Sequence, residues 1–247
     1  MKLLFADEVC GVSDNNLFGI CLISIDSTKY KKIQSSFSKH LNKVKWPENE
    51  ELKGKYLFSN NPAGSGKKPE EMVELVIEIV NYLSSKTNSR CEVIFAYNLK
   101  KQTPENYIYL LSGCLSKIKK ASKGAGKDIT TLMIDNYDDL RKVGHLQNLN
   151  DGASNVLIKK GYILIDSHVG FVQSNNLSVG ICYADIIAYI CKWVVENPKV
   201  MTQKVQPSLF ELYNEDVKKE IIKKKIGTTH MLANMLKSVT FVDLESR

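Results

Sequence analysis

Three short apolar runs in this chain of 247 residues each end in an aspartate. Leu3-Leu4-Phe5-Ala6 leads into Asp7 and Glu8, Leu132-Met133-Ile134 into Asp135, and Ile163-Leu164-Ile165 into Asp166. Runs this short and this continuously apolar suit strands covered by other elements. A carboxylate at the end of such a strand loses hydration unless it reaches solvent, a donor or a cation. Taken singly, each aspartate reads as a turn or cap residue. Strand alternation puts Asp7 on the face of Leu3 and Phe5 and Glu8 on the other, so one of the two points at any given site.

The segments between these runs alternate in type. Lys2 to Glu8 and Leu17 to Ile25 are predicted as the strands of an antiparallel hairpin, joined by a loop with Gly11, Ser13, Asp14 and Asn15. Ser27 or Thr28 caps a helix running to about Val44, and Pro47 to Leu57 is irregular or a short strand. Pro69 sits in the first turn of a helix to Ser84, with Met72, Leu75, Val76, Ile79 and Leu83 at helical spacing. Glu92 to Tyr97 is a strand, and Pro104 opens a helix reaching Ala121. Ile129 to Asp135 and Tyr162 to Val169 are strands, and Val179 to Glu196 is a strongly apolar helix. The tail holds Pro198, Pro207, a basic helix near Asp216 to Lys225 and a last apolar helix or strand ending at Leu244. A hairpin followed by alternating strands and helices predicts an α/β fold with a mixed central sheet flanked by helices. Residues 1–197 read as the domain, and 198–247 as a helical extension packed on it. The 43% hydrophobic fraction is enough for a real core.

Several function classes drop out. Gly64-Ser65-Gly66-Lys67-Lys68 and Gly124-Ala125-Gly126-Lys127-Asp128 look like phosphate loops. A phosphate loop, however, needs glycine where Asn61 and Ala121 stand, and Ser or Thr where Lys68 and Asp128 stand. No nucleophile elbow is present. The six cysteines form no C-x-x-C pair and sit mostly in apolar segments, as buried reduced thiols do. The four histidines show no metal-type spacing. No run approaches the roughly 20 apolar residues of a membrane span, and Met1 runs directly into a strand without the features of a signal peptide. The expected location is cytoplasmic, with no membrane partner. The formal net charge of +7 leans toward anionic partners, although lysine supplies most of it.

Asp185 is a fourth acid in an unusual place. It lies early in a helix apolar on most sides, whose polar stripe is Asp185, Tyr189, Lys192 and Glu196. By itself that stripe reads as a solvent face. In combination, three or four carboxylates from separate strands and a late helix supply the hard oxygen ligands that Mg²⁺ or Mn²⁺ takes. Two such ions about 4 Å apart activate water and stabilise the leaving oxygen in phosphodiester cleavage.

These residues resemble a known family. Asp7-Glu8-Val9-Cys10-Gly11 resembles the Asp-Glu-Ser-Gly opening of the bacterial and phage proteins called domain of unknown function 3800. Glu51-Leu52-Lys53-Gly54 resembles that family's Glu-x-Lys segment, and Leu132-Met133-Ile134-Asp135 its central strand with a terminal Asp. Ser174 through Tyr189 resembles its closing signature, a Ser followed by Gly-Ile-Gln-Leu-Ala-Asp-Ile-Ile-Ala-Tyr. Here that segment reads Gly180-Ile181-Cys182-Tyr183-Ala184-Asp185-Ile186-Ile187-Ala188-Tyr189. The resemblance covers residues 1 to about 195. Cys182 stands where the family has Gln, and Val9-Cys10 replaces its Ser.

The resemblance implies an RNase H-like fold, an association with mobile elements or defence, and metal-dependent nuclease activity on DNA or RNA with Mg²⁺ or Mn²⁺. It carries over Asp7, Glu8, Glu51, Lys53, Asp135 and Asp185 as site residues, with Asp7, Asp135 and Asp185 as metal ligands and Lys53 as a phosphate contact. Asp166 does not match the motif and stays in reserve. An alternative on the same fold is a nucleic-acid-binding or protein-interaction member without turnover. Basic candidates for holding a nucleic-acid backbone are Lys117, Lys119, Lys120, Lys123 and Lys127, and Lys218, Lys219, Lys223, Lys224 and Lys225.

Overall fold

Strand β1 (Lys2–Cys10) turns back into β2 (Phe18–Asp26), and the two pair antiparallel from Lys2↔Asp26 to Cys10↔Phe18. The computed structural model describes residues 1–10, 17–84, 91–121, 127–173, 178–197, 217–236 and 239–245, with side chains from residue 224 onward in the last helix. Gly11, Ser13–Asn15, Lys123, Gly124–Gly126, Ser174, Pro198 and Pro207, and the side chains of Lys218, Lys219 and Lys223, lie outside the described residues.

The chain is α/β, with a seven-stranded mixed sheet flanked by helices. β3 (Glu92–Asn98) pairs antiparallel with β2, and β4 (Asp128–Asp135) pairs parallel with the other side of β1. β5 (Tyr162–Leu164) and β6 (Gly170–Val172) both pair parallel with β4. β7 (Val239–Asp243) pairs parallel with β3 at the opposite edge. The resulting order is β5-β4-β1-β2-β3-β7, with β6 also on β4.

Helices cover both faces, which is why β2 is buried along nearly its whole length and reads as one apolar run. On one face lie α1 (Ser27–Lys43), α2 (Pro69–Ser84), α5 (Val179–Glu196) and α6 (Val217–Met235), around Phe5, Phe37, Ile79 and Ile187. On the other, α3 (Pro104–Lys117) and α4 (Val143–Lys159) pack over Leu4, Ala6, Leu132 and Ile134. Local chemistry sets the helix starts. Asp26 accepts the N–H of Thr28 at 3.2 Å, so the cap of α1 is one residue ahead of the expected Ser27 or Thr28. Thr103 accepts the N–H of Asn106 ahead of Pro104 in α3.

α4 has no counterpart in the sequence reading, and two further stretches differ from it. The strand expected over Tyr162 to Val169 is broken after Leu164 by a turn in which Asp166 and Ser167 take positive φ of 53° and 55°, a conformation no strand accommodates. The segment before α2, expected as irregular or a short strand, holds no strand and forms a 3₁₀ turn at Gly54–Phe58. The extension beyond residue 197 is not purely helical. α6 packs on α5 and α2, and Val239–Asp243 then joins the central sheet, burying Val242 and Leu244 in its core. Among the described residues no helix is long and apolar enough to cross a membrane.

Candidate metal centre

The parallel register of β1 and β4 brings two of the strand-end acids together. Ala6 pairs with Ile134, so Asp7 and Asp135 follow side by side at the carboxyl ends of adjacent strands. Both continue the face of Phe5 and Met133, which packs under α5, whereas Ala6 and Ile134 point into the opposite core. α5 lies flush on that face. A Cβ on Gly180 would sit 2.3 Å from the Phe5 ring, so only glycine permits this approach. The helix then brings Asp185 over the strand ends.

The 3₁₀ turn after Lys53 closes the other side. The N–H of Gly54 donates to Asp185 Oδ2 at 2.5 Å, and a Cβ on Gly54 would meet the Cβ of Tyr189 at 2.6 Å. The stripe of α5 is therefore not a solvent face: Asp185 and Tyr189 are covered by this turn, and Lys192 is 3% exposed. Lys53 Nζ lies 3.1 Å from Glu51 Oε2, and Glu51 is largely buried beside Cys182, with Sγ and Oε1 4.0 Å apart. Glu51 and Lys53 thus form an ion pair at the site, not one in open solvent. The Cys182 thiol is pushed up in pKa by burial and next by Glu51, so it stays protonated and offers only a weak donor.

Electrostatics bind these acids into one group. Asp7 is only 6% exposed, and its carboxyl is held well above the usual range by burial, then by the charges of Asp185, Glu8 and Asp135. Its one hydrogen bond among the described residues comes from the backbone N–H of Glu8, at 2.8 Å. Burial, followed by Asp135, pushes Glu8 up to about 7. Asp185 is raised to about 6 by burial against the opposing pull of the Gly54 N–H and Lys53. Burial lowers Lys53, but its hydrogen bond to Glu51 and the surrounding carboxylates outweigh that and raise it overall.

Glu8 starts on the opposite face of β1 and still joins the group. Pairing with β4 stops at Ala6, which leaves that flank of β1 open toward Asp135. Among the described residues Glu8 Oε2 is buried with no hydrogen-bond partner, and the buried hydroxyl of Tyr107, on α3, is likewise unpartnered. The charges of Glu8, Asp7 and Asp135 all act on Tyr107. Gln102 donates to Glu8 at 3.4 Å and accepts the Cys10 thiol at 3.2 Å.

Asp7, Glu8, Asp135 and Asp185 therefore lie near enough for their charges to act on one another, with Glu51 and Lys53 acting on Asp185. Asp166 does not join them: it is exposed in the turn between β5 and β6. Among the described residues no three His, Cys, Asp or Glu side chains stand close enough together to hold a metal ion as placed. Three of the carboxylates accept backbone N–H groups, Asp7 from Glu8, Asp135 from Asn136 and Asp185 from Gly54. The donors are nonetheless all hard oxygens, and Glu8 Oε2, unpartnered among the described residues, is one that a cation would satisfy.

The two basic clusters are placed differently. Lys117, Lys119 and Lys127 sit beside Lys2 and Glu92 or at the start of β4, at the opposite end of the sheet from Asp7; the Lys119 N–H donates to Glu92. Of the second cluster, Lys224 pairs with Glu70 at 3.1 Å, and Lys225 lies over the Phe58 ring, next to the turn that follows Lys53. Gly54, Gln102, Tyr107 and Lys192 were not singled out as site residues from sequence. Gly54, inside the Glu-x-Lys-Gly stretch, and Lys192, in the polar stripe of α5, carried signals that could have drawn them in. Neither protein-family models nor curated proteins match this sequence.

Proposed function

We propose that this chain is an RNase H-like, divalent-metal-dependent nuclease that hydrolyses phosphodiester bonds of DNA or RNA. The observation that carries the reading is Asp7: a buried carboxylate between Asp135 on the neighbouring strand and Asp185 on α5, with no cationic partner among the described residues. Concentrating negative charge in a buried position is unfavourable unless a cation offsets it. The mixed sheet with helices on both faces, and acids at the ends of its central parallel strands, supports the family's fold.

Asp7, Asp135 and Asp185 would hold Mg²⁺ or Mn²⁺. The bound ion would neutralise phosphate charge and lower the pKa of attacking water. Lys53, tethered by Glu51, presents its ammonium to a phosphate oxygen of the substrate. Glu8, buried beside Asp135 and next to Asp7, would add a further carboxylate oxygen to the site at Oε2. Gly54 fixes the Asp185 carboxylate, so that the ligand is aimed before substrate arrives.

The weak donor at Cys182 favours one second reading, a nucleic-acid-binding protein on the same fold without turnover. The test is incubation of the purified protein with single- and double-stranded DNA and RNA in Mg²⁺, Mn²⁺ or chelator, beside Asp185→Asn. The expected result is cleavage that needs metal and disappears in the variant. Binding that survives Asp185→Asn, with no cleavage under any metal, selects the second reading.

A further inference from the structure

Lys192 is a buried cation with no role in the chemistry above. It is 3% exposed, and its described partner is the ring of Tyr189, whose centroid lies 5.9 Å from Nζ. No carboxylate among the described residues pairs with it. An ammonium on a side chain so largely enclosed gains from an anion that joins it.

Its position is set by the same packing that sets Asp185. α5 runs along β1 in the same direction, with Gly180 on Phe5, the Asp185 charge acting on Asp7, and the Lys192 charge acting on Cys10. Seven residues of helix advance about 10 Å, and three residues of strand from Asp7 to Cys10 also advance about 10 Å. Asp185, Tyr189 and Lys192 therefore form one line along α5, from the acids to the rim where β1 ends. Lysine stems commonly lie along apolar surface and carry the charge outward.

We propose that Lys192 is a phosphate-binding residue, holding a backbone phosphate of the nucleic acid beside the one placed at Asp7, Asp135 and Asp185. The inference rests on the nuclease reading and adds a direction to it: the strand passes from the acids along α5 toward Cys10. Lys53 contacts the phosphate at the acids, and Lys192 the next along the line. The Tyr189 ring beneath Lys192 orients the ammonium and takes no part in contacting the substrate.

The test measures binding of a fluorescent oligonucleotide in Ca²⁺ across a salt series, for the full chain, Lys192→Met and Lys192→Arg. Loss of one phosphate contact is expected to lower affinity about tenfold and to reduce the salt slope by about one in Lys192→Met, with Lys192→Arg close to wild type. The Met variant is expected to fold with a Tm at or above wild type, since it removes a buried charge; if it does not fold, Lys192→Gln is read in its place. Unchanged affinity and salt slope in a folded variant overturn the proposal while leaving the nuclease reading standing. A lower Tm with unchanged binding makes Lys192 structural and overturns it too. Failure of the wild-type chain to bind any oligonucleotide overturns both.

Discussion

Asp185 Oδ2 accepts the backbone N–H of Gly54 at 2.5 Å, a bond between residues 131 positions apart. It ties the turn carrying Glu51 and Lys53 to the helix carrying the late acid. The bond exists because Gly54 has no side chain: a Cβ would lie 2.6 Å from Tyr189 Cβ and 2.9 Å from the Asp185 carbonyl oxygen. Neither neighbour is a flexible chain end that can swing away.

Gly54→Ala should therefore lift the turn from α5. Overpacking of this kind costs about 1–3 kcal/mol, and the loss should appear in thermal unfolding. Lys53 would be displaced with the turn, so metal-dependent cleavage should fall as well, with KM rising. A variant with wild-type Tm and wild-type KM would show that the close approach does not position the site.

The raised carboxyls of the cluster make stability depend on pH. Glu8 and Asp185 rise from their ordinary 4.5 and 3.8 to about 7 and about 6 in the fold, and Asp7 is raised as well. Between the ordinary and folded values the native state binds more protons than the unfolded chain, so stability falls as pH rises through this window. His230, lowered by burial, works in the opposite direction. Wild type is therefore compared with Glu8→Gln. In chelator, the Tm advantage at about pH 5.5 over about pH 8 should be larger in wild type than in the variant. Mn²⁺ should raise the wild-type Tm most at the higher pH, where the ligands are deprotonated. Equal pH dependence in both proteins would remove Glu8 from the cluster.

Asp7→Asn separates stability from function. It removes the most enclosed charge of the group while keeping its shape. The metal-free variant should melt at or above the wild-type temperature, because repulsion from Asp185, Glu8 and Asp135 is relieved. Cleavage should drop by at least about 100-fold with the loss of a ligand. Destabilisation together with intact cleavage would contradict the assignment.

The sequence carried the frame of this fold more clearly than its details. β1, β2, β3 and β4 announce themselves as apolar runs because helices bury both faces of the sheet, and α5 is apolar nearly all round because it is enclosed by the sheet, α1 and α6. α4 gave no comparable signal: Gly144, Gly152 and three asparagines dilute it, and Leu149, Ala153 and Leu157 alone mark its buried face. β7 could not be told from a helix by periodicity, since its strand character comes from pairing with β3. At the site, Asp7, Asp135 and Asp185 stood out through strand ends and the helix motif. The Gly54 bond, Gln102 and the burial of Lys192 are tertiary relationships with no local signature.

The approach of α5 to β1 yields the last prediction. Gly180 faces Phe5 so closely that a Cβ would fall 2.3 to 2.4 Å from three ring atoms. Phe5 cannot simply rotate aside, because it is 3% exposed and stacks on Tyr30 with centroids 5.3 Å apart. Gly180→Ala should push the start of α5 off β1 and carry Asp185 away from Asp7, five residues later on the same helix. A stability loss of about 1–3 kcal/mol is expected, partly offset by the better helix propensity of alanine. Cleavage should fall further than stability alone explains, since ligand spacing changes even in the folded fraction. Phe5→Leu opens room at the same contact, so the double variant should recover part of both losses. Residues in contact couple by about 0.5–3 kcal/mol in such a cycle. Strict additivity would mean that the Gly180–Phe5 contact does not set the height of Asp185 above the strand ends.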